Sequence, residues 1–122
     1  MEILIKQGDI TQATIAALVP LADTVGVVGT ASLAGNRITV PTMKHPAEPI
    51  PPKHVELATV VALRCADESG FASVAVPVFG TAVGDVDYHT AVRVMSETIE
   101  MFRCDNELRT VELWVDRDRY AS

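Results

Sequence analysis

The chain has little of what nucleic-acid-binding and membrane proteins need. Its ten Lys and Arg residues are scattered among sixteen Asp and Glu residues, and the net charge is −6 over 122 residues. A surface that neutralises phosphates with cations is therefore not expected. No apolar run approaches the roughly 18 residues of a membrane span. The first residues lack a signal-peptide pattern, so we expect a cytoplasmic protein that binds neither nucleic acid nor membrane.

Cysteine and histidine are also scarce. The two cysteines, Cys65 and Cys104, have no CxxC spacing and lie at or beside apolar positions, so inert thiols are expected. The three histidines, His45, His54 and His89, show no metal-ligand spacing. We therefore expect neither a metal ion nor a cofactor.

The chain does contain the alternating strand and helix patterns of an α/β protein. Its length predicts a single domain over residues 1–122. Apolar segments typical of strands lie at 2–6, 16–21, 37–40, 72–78 and 110–115. Helices are predicted from Pro52 to Ser69 and from Asp87 to Arg103, the second with Asp87 as its N-cap. This order favours a mainly parallel sheet with helices on both faces and a ligand site at the carboxyl ends of the strands.

Proline is concentrated in one segment. Five of the seven prolines fall between Pro41 and Pro52, which excludes a helix interior or a central strand there. We expect an extended surface connection within one domain. Whether it folds over a binding cleft or only shortens a connection is open at this point.

Three turns could carry a ligand. In the first, Gly8 to Thr11, Asp9 is expected to cap a helical turn. The second is Gly26 to Gly29, and the third is Phe79 to Gly84, between a buried strand and a helix. Glycines let backbone N–H groups approach an anion closely in such loops. An ordinary turn is the alternative interpretation of each.

Taken together and in this order, the three segments resemble the macro-domain family. Gly8 to Thr11 match its Gly-Asp-Ile-Thr motif in full, and Gly26 to Thr30 are similar to its first glycine loop. Residues 70–82, GFASVAVPVFGTA, match its late motif closely. The resemblance implies a three-layer α/β/α fold with a mixed, mainly parallel sheet, truncated in its middle region. It also implies a cleft for ADP-ribose.

The same resemblance implies a role for each site residue. Asp9 would accept a hydrogen bond from the adenine amino group, with the N–H of Ile10 alongside. Asp23 would lie near the diphosphate. Backbone amides of two loops would hold the diphosphate and the distal ribose; these loop residues are Gly26, Val27, Val28, Gly29, Phe79, Gly80, Thr81, Ala82, Val83 and Gly84.

Two departures bear on catalysis. Pro20 and Asp23 stand where the family has asparagines, whose amides help to hold the distal ribose in its hydrolytic members. We therefore expect a binding module rather than a hydrolase of the usual type. Two alternatives stay open. One is an interaction module with a closed cleft, whose exposed sheet edge a second subunit would cover. The other is an ADP-ribose ester hydrolase that uses Asp23 or a histidine.

Overall fold

The computed structural model describes residues 1–46 and 48–121. Its regular elements are β1 (Glu2–Gln7), β2 (Ala17–Leu18), β3 (Ser32–Ala34), β4 (Arg37–Thr39), α1 (Pro52–Glu68), β5 (Ser73–Pro77), α2 (Tyr88–Met101), β6 (Thr110–Val115) and α3 (Arg117–Ala121). A short 3-10 helix, Ile10–Gln12, follows β1. Among the described residues, none of the helices combines the length and the apolar character needed to cross a bilayer.

The strands form one sheet in the order β1-β6-β5-β2-β4-β3. Every neighbouring pair is parallel except β3 and β4, which form an antiparallel edge. The predicted α/β class with a mixed, mainly parallel sheet is confirmed. Parallel strands joined by helices bring their carboxyl ends to one edge of the sheet, and this edge is where such folds bind ligands.

The main core lies between the sheet and the two long helices. Val111, Leu113 and Val115 of β6 are fully buried against residues of α1 and α2. The opposite face carries a much smaller cluster, in which Ile10, Leu18 and Ala75 are buried and Trp114 packs against them. The 3-10 helix and the residues after it thus supply the covering on this second face.

Most element bounds follow the predictions, and two differences have a local cause. The predicted strand 16–21 is reduced to Ala17–Leu18, because Pro20 has no N–H to donate to a ladder. The edge strand β3 and the five-residue α3 have no strong periodicity and were not expected. Asp87 caps α2 as predicted, since its carboxylate accepts from the N–H of Thr90 at 3.0 Å.

The proline segment packs against the domain rather than extending away from it. Ile50 is buried, and its N–H donates to the carbonyl of Gly84 at 2.9 Å. The start of the segment is held as well, because the carbonyl oxygen of Thr42 lies 2.9 Å from Nδ1 of His54 in α1. The connection therefore supports the loop that precedes α2.

A buried carboxylate ties α1 to the loop before β6. Asp67 is 3% exposed, and its oxygens accept from the backbone N–H groups of Asp105, Asn106 and Leu108 at 3.0–3.2 Å. Burial acts to raise the pKa of this carboxyl, but the hydrogen bonds from Leu108, Asp105 and Asn106 outweigh it and hold the pKa below its ordinary value. The ionised form is therefore the one that stabilises the fold.

We expect Asp67→Asn to lower the melting temperature by several degrees at pH 7, because an amide nitrogen would face N–H donors that the carboxylate now satisfies. The depressed pKa means that this contribution is present above the unfolded carboxyl's pKa of about 3.9 and is lost as the pH falls through the lower folded value. Thermal melts of the two proteins should therefore differ by a constant amount above roughly pH 5 and converge below roughly pH 4.

Asp105→Asn is the matched control, because it removes a carboxylate that is exposed in the same loop. It should leave the melting temperature nearly unchanged. Equal effects of the two substitutions, or a gap between wild type and Asp67→Asn that stays constant down to pH 3, would contradict this account.

Candidate functional site: a hollow and an amide-lined loop at the carboxyl ends of the strands

A hollow of about 170 Å³ opens at the carboxyl ends of β1, β5 and β6. Its apolar walls include Ile10, Ala22, Val78 and Trp114, and its polar rim includes Asp116 and Arg119. Thr81 and Ala82 also line it, so it borders the loop between β5 and α2. We call it the C-end hollow. Its volume suits one ring system rather than a whole drug-sized ligand, which fills roughly 300 Å³ or more.

A larger groove of about 540 Å³ lies between α1 and α2. It is lined by charged residues such as Glu56, Arg64 and Glu97 on the outer sides of the helices. None of the three segments singled out in the sequence contributes to it. Position in the fold, rather than size, therefore identifies the C-end hollow as the candidate site.

The first segment forms the predicted cap. The backbone of Asp9 is extended, and its Oδ1 accepts from the N–H of Thr11 at 2.9 Å and from the Thr11 hydroxyl at 2.8 Å. These two bonds, the backbone one first, hold the pKa of Asp9 below its ordinary value. The capped turn buries Ile10 in the wall of the C-end hollow, whereas the carboxylate of Asp9 stays exposed beside it.

The third segment is shaped by two glycines in tight surroundings. Gly80 has φ = 81°, and a Cβ there would lie 2.9 Å from Val55 and 3.0 Å from Val86. A Cβ on Gly84 would lie 2.9 Å from both the Gly80 carbonyl oxygen and Ile50. Only glycine fits these positions without displacing a neighbour.

The N–H groups of this loop converge on a carboxylate of the chain itself. Oδ2 of Asp23 accepts from the N–H groups of Ala82 at 3.0 Å, Val83 at 2.8 Å and Gly84 at 3.2 Å. Oδ1 accepts from the N–H of Gly80 at 3.1 Å. We call these four N–H groups the amide nest. The predicted concentration of amides in the loop is thus present, and Asp23 occupies it.

A fifth donor fixes the same carboxylate. The hydroxyl of Thr42, which is fully buried, donates to Oδ1 of Asp23 at 2.6 Å. The backbone on either side is also tied down, since the N–H of Thr42 donates to the carbonyl of Thr24 at 2.9 Å. Asp23 therefore reaches the nest from a segment that is itself well anchored.

Two of the other residues predicted in this loop, Phe79 and Thr81, have buried side chains. Phe79 is fully buried, and its N–H points at the sulfur of Met95 at 3.3 Å. The Thr81 hydroxyl donates to the carbonyl of Val78 at 2.8 Å. Val83, in contrast, is an exposed apolar side chain. The nest therefore consists of main-chain groups on a side-chain framework.

The first glycine loop makes its contacts elsewhere. The N–H of Gly26 donates to the carbonyl of Met43 at 3.0 Å, and a Cβ on Gly26 would lie 2.7 Å from Pro41. Gly29 lines a shallow hollow with residues of the second half of α1, from Val61 onwards, whereas Gly80 packs near Val55 in the first turns. At 1.5 Å per residue these points on the helix are about 9 Å apart or more.

The intervening side chains of the first loop differ in exposure. Val27 is 72% exposed and Val28 is half-buried, and the Thr30 hydroxyl closes the turn on the carbonyl of Val27 at 2.7 Å. None of the hydrogen bonds described for Gly26 to Gly29 reaches the amide nest.

Polar residues that no sequence motif indicated close the far side of the C-end hollow. Arg119 of α3 donates to the carbonyl of Thr81 at 3.0 Å, and its guanidinium lies 4.4 Å from the centre of the Tyr88 ring. The Tyr88 hydroxyl accepts from the N–H of Asp116 at 2.7 Å. Burial, partly offset by this hydrogen bond, raises the pKa of Tyr88. These contacts leave no recognisable pattern in the sequence, because α3 is only five residues long.

The two thiols are half-buried, and burial is the leading cause that raises the pKa of both Cys65 and Cys104. A raised pKa keeps them as thiols rather than reactive thiolates at neutral pH. Within the described residues, no group of three His, Cys, Asp or Glu side chains has the arrangement of a metal site.

Comparison with known proteins places this architecture in a family. The family model of the macro domain matches residues 19–95 of the sequence, which is more than half of the chain. The chain therefore belongs to the macro-domain family, as the resemblance of its motifs implied.

One similar protein was found by its sequence, and others were found by their solved structures. An uncharacterised protein of Aquifex aeolicus (strain VF5) is 45% identical over 65 residues, which are 53% of this chain and 39% of that protein. The matched stretch thus spans well under half of that relative's length.

Three of the solved structures that are similar to this chain are macrodomains from different organisms. The Oceanobacillus iheyensis macrodomain with ADP has a TM-score of 0.77 at 17% identity, over 96% of this chain and 85% of that one. The Trypanosoma brucei macrodomain in complex with ADP-ribose has a TM-score of 0.73 at 16% identity, over 98% and 66%. The macrodomain of Mycobacterium tuberculosis DarG has a TM-score of 0.70 at 19% identity, over 92% and 97%. At these identities the likeness establishes the fold.

The crowding at Gly80 gives a direct test of the loop. Gly80 and Gly70 both have positive φ, but a Cβ on Gly70 would meet nothing within 4 Å. Gly70→Ala should therefore cost only the backbone term of about 1 kcal/mol in the free energy of unfolding. Gly80→Ala should cost about 2–4 kcal/mol, because overpacking against Val55 and Val86 is added.

Urea unfolding of both variants measures these costs. A Gly80→Ala protein no less stable than Gly70→Ala would show that the loop relaxes freely, and would refute the claim that packing fixes the nest.

Proposed function

We propose that this macro domain binds ADP-ribose or a related nucleoside diphosphate, with its base in the C-end hollow and its phosphates toward the loop at 79–84. The observation that carries the proposal is the continuity of the two features: Ala82 both lines the hollow and contributes an N–H to the amide nest. The macrodomains of Oceanobacillus iheyensis with ADP and of Trypanosoma brucei with ADP-ribose support this choice of ligand.

The base would enter between Ile10 and Trp114, which line the hollow from different elements. Oδ1 of Asp9 is engaged by Thr11, so the acceptor for an adenine amino group in this proposal is Oδ2. The lowered pKa of Asp9 keeps this acceptor ionised at neutral pH. The N–H of Ile10 would lie alongside as a donor to the ring.

The phosphates would be bound by backbone groups, which suits a chain of net charge −6. Four convergent N–H groups offer the partial positive charge that an anion needs without a cationic side chain. The amides from Gly80 to Gly84 form the diphosphate subsite in this proposal. The prediction that Gly26 to Gly29 help this loop to hold the diphosphate and the distal ribose remains a prediction. A cytoplasmic location likewise stays a prediction.

The occupied nest favours a second candidate, an interaction module whose cleft holds no nucleotide. Asp23 already satisfies the four N–H groups that a diphosphate would need. In that case the domain would act through its surface, for example with a second subunit along the β3 edge. Saturable binding of ADP-ribose or adenosine would exclude this candidate. A concentration-independent monomer by light scattering would exclude the second subunit.

A third candidate function, that of an ADP-ribose ester hydrolase, has less support than the other two. Both oxygens of Asp23 accept hydrogen bonds from five donors in total. Asp23 would have to leave these donors before it could take a proton from water. Release of ADP-ribose from a modified peptide would establish this activity.

Trp114 is the only tryptophan of the chain and lines the C-end hollow, so its fluorescence reports on occupancy. Titration with adenosine and with ADP-ribose should give a saturable change in emission and matching heat by calorimetry. Asp9→Asn should weaken binding of both ligands by roughly tenfold, because an amide donor would face the adenine amino group. It should keep stability within about 0.5 kcal/mol, because Asn caps as well as Asp.

Asp105→Asn controls for the change in net charge, since it lies in the loop before β6, away from the C-end hollow. It should leave both affinities unchanged. No saturable signal from either ligand at millimolar concentration would refute the proposed function.

A further inference from the structure

We propose that Asp23 is an internal competitor for the phosphate subsite, so that it sets how strongly this cleft distinguishes a nucleotide from a nucleoside. The inference rests on the proposed function for the ligand's identity. Its geometry does not, because the competing groups are all in the chain itself. An anion that enters the amide nest must take the same N–H groups that Asp23 now holds.

The contacts of Asp23 are those that a phosphate oxygen would make. A single oxygen, Oδ2, receives three successive N–H groups, those of Ala82, Val83 and Gly84, at 2.8–3.2 Å. Each N–H has one proton to donate. A phosphate oxygen therefore cannot bind there while Oδ2 remains. The two anions would also repel each other at contact distance.

Asp23 has the advantage of being tethered. Its neighbour Thr24 is fixed by a hydroxyl bond to the carbonyl of Val40 at 2.9 Å, and by the N–H of Thr42. The carboxylate thus returns to the nest without the loss of translational freedom that a free ligand suffers. Thr42 adds a donor on the other oxygen, which holds the side chain in the orientation that reaches the loop.

Despite these contacts, the Asp23 side chain lies close to the protein surface. Asp23 is half-buried, and Ala82 and Val83 are exposed, so a rotation of the Asp23 side chain would leave the N–H groups of these two residues at the surface, within reach of solvent. The loop framework does not depend on Asp23 alone, because the carbonyls of Gly80 and Gly84 accept from the N–H groups of Val86 at 3.0 Å and Ile50 at 2.9 Å. The nest therefore has two states, one closed by Asp23 and one open.

The affinity for a phosphate ligand is reduced by the fraction of molecules that are open. If about 1–10% of molecules are open, removal of the carboxylate tightens ADP-ribose binding by roughly 10- to 100-fold. Adenosine, which has no phosphate, should change by less than about threefold. The ratio of ADP-ribose affinity to adenosine affinity should accordingly be smaller in the wild type than in Asp23→Ala by roughly the same 10- to 100-fold factor.

A graded set of variants tests the competition. Asp23→Ala removes the competitor, Asp23→Asn removes its charge, and Thr42→Val removes one donor while the carboxylate stays. We expect phosphate affinity to rise in the order wild type, Thr42→Val, Asp23→Asn, Asp23→Ala, with Thr42→Val worth roughly fivefold, the value of one hydrogen bond.

Asp85→Asn is the matched control. Asp85 is an exposed carboxylate at φ = 59° in the same loop, and Asn tolerates that conformation. It removes the same charge as Asp23→Asn but leaves the nest occupied. Its effect on phosphate affinity should stay below about twofold, the size of a screened surface charge.

The primary measurement uses inorganic pyrophosphate and the amide spectrum of nitrogen-15-labelled protein. In Asp23→Ala the amide signals of Ala82, Val83 and Gly84 should shift saturably, while the wild type and Asp85→Asn shift little at the same concentration. Equal shifts in wild type and Asp23→Ala, or none in Asp23→Ala, would overturn the inference. If Asp23→Ala loses its folded spectrum, Asp23→Asn carries the same test.

Calorimetry with ADP-ribose and adenosine separates this inference from the proposed function. Pyrophosphate binding to Asp23→Ala without binding of either adenine ligand would refute the proposed function and support the competition. ADP-ribose binding of equal strength in wild type and Asp23→Ala would support the proposed function and refute the competition. Weaker ADP-ribose binding in Asp23→Ala would make Asp23 part of the binding site and would also refute it.

Discussion

The hydrogen bonds between the Asp23 carboxylate and the loop before α2 are the constraint on which the site depends. They join two segments about 60 residues apart in sequence, at the edge where β2 and β5 end. They give the four N–H groups of the amide nest a partner within the chain. The loop can therefore keep a concentration of amide donors without a ligand, which is otherwise a costly arrangement for buried or half-buried N–H groups.

The surrounding packing explains why the loop has this shape in the first place. Gly80 and Gly84 lie against Val55, Val86 and Ile50, so that the proline segment and the first turns of α1 form the wall behind the nest. The main core of the sheet and two long helices fixes that wall. The nest and the C-end hollow thus rest on the same core, and the hollow opens at the strand ends. The two glycines and their neighbours thus shape the loop, whereas the Asp23 carboxylate occupies its N–H groups.

Much of the fold could be predicted from the sequence because it is encoded locally. The periodicity of α2, the Asp87 cap and the alternation in β6 each lie within one short segment, and all agree with the structure. The Asp9 cap is local too. The shortness of β2 was missed, although Pro20 gave a signal for it. The thin covering of the second sheet face was not predicted. It depends on how the short connections between the strands pack, which no local pattern in the sequence indicates.

The candidate site was predictable only in part. The glycine loop and its amides follow from the motif at residues 70–82, but their occupant does not. Asp23 was predicted to lie near a diphosphate, and whether it faced the loop or turned away depended on the path of residues 24–43. Arg119 and Tyr88 meet only in three dimensions, through a helix too short to show a pattern. Long-range side-chain placement, rather than secondary structure, is what the sequence did not reveal.

Crystal structures of the wild-type protein, grown without ligand and then soaked in ADP-ribose, test the central claim most directly. In the first structure, the carboxylate of Asp23 should contact the backbone nitrogens of residues 82–84. In the second, phosphate oxygens should replace it, with the side chain rotated outward. An unliganded crystal in which Asp23 points away from the loop, or a soaked crystal in which diphosphate is bound while Asp23 keeps its place, would contradict the account.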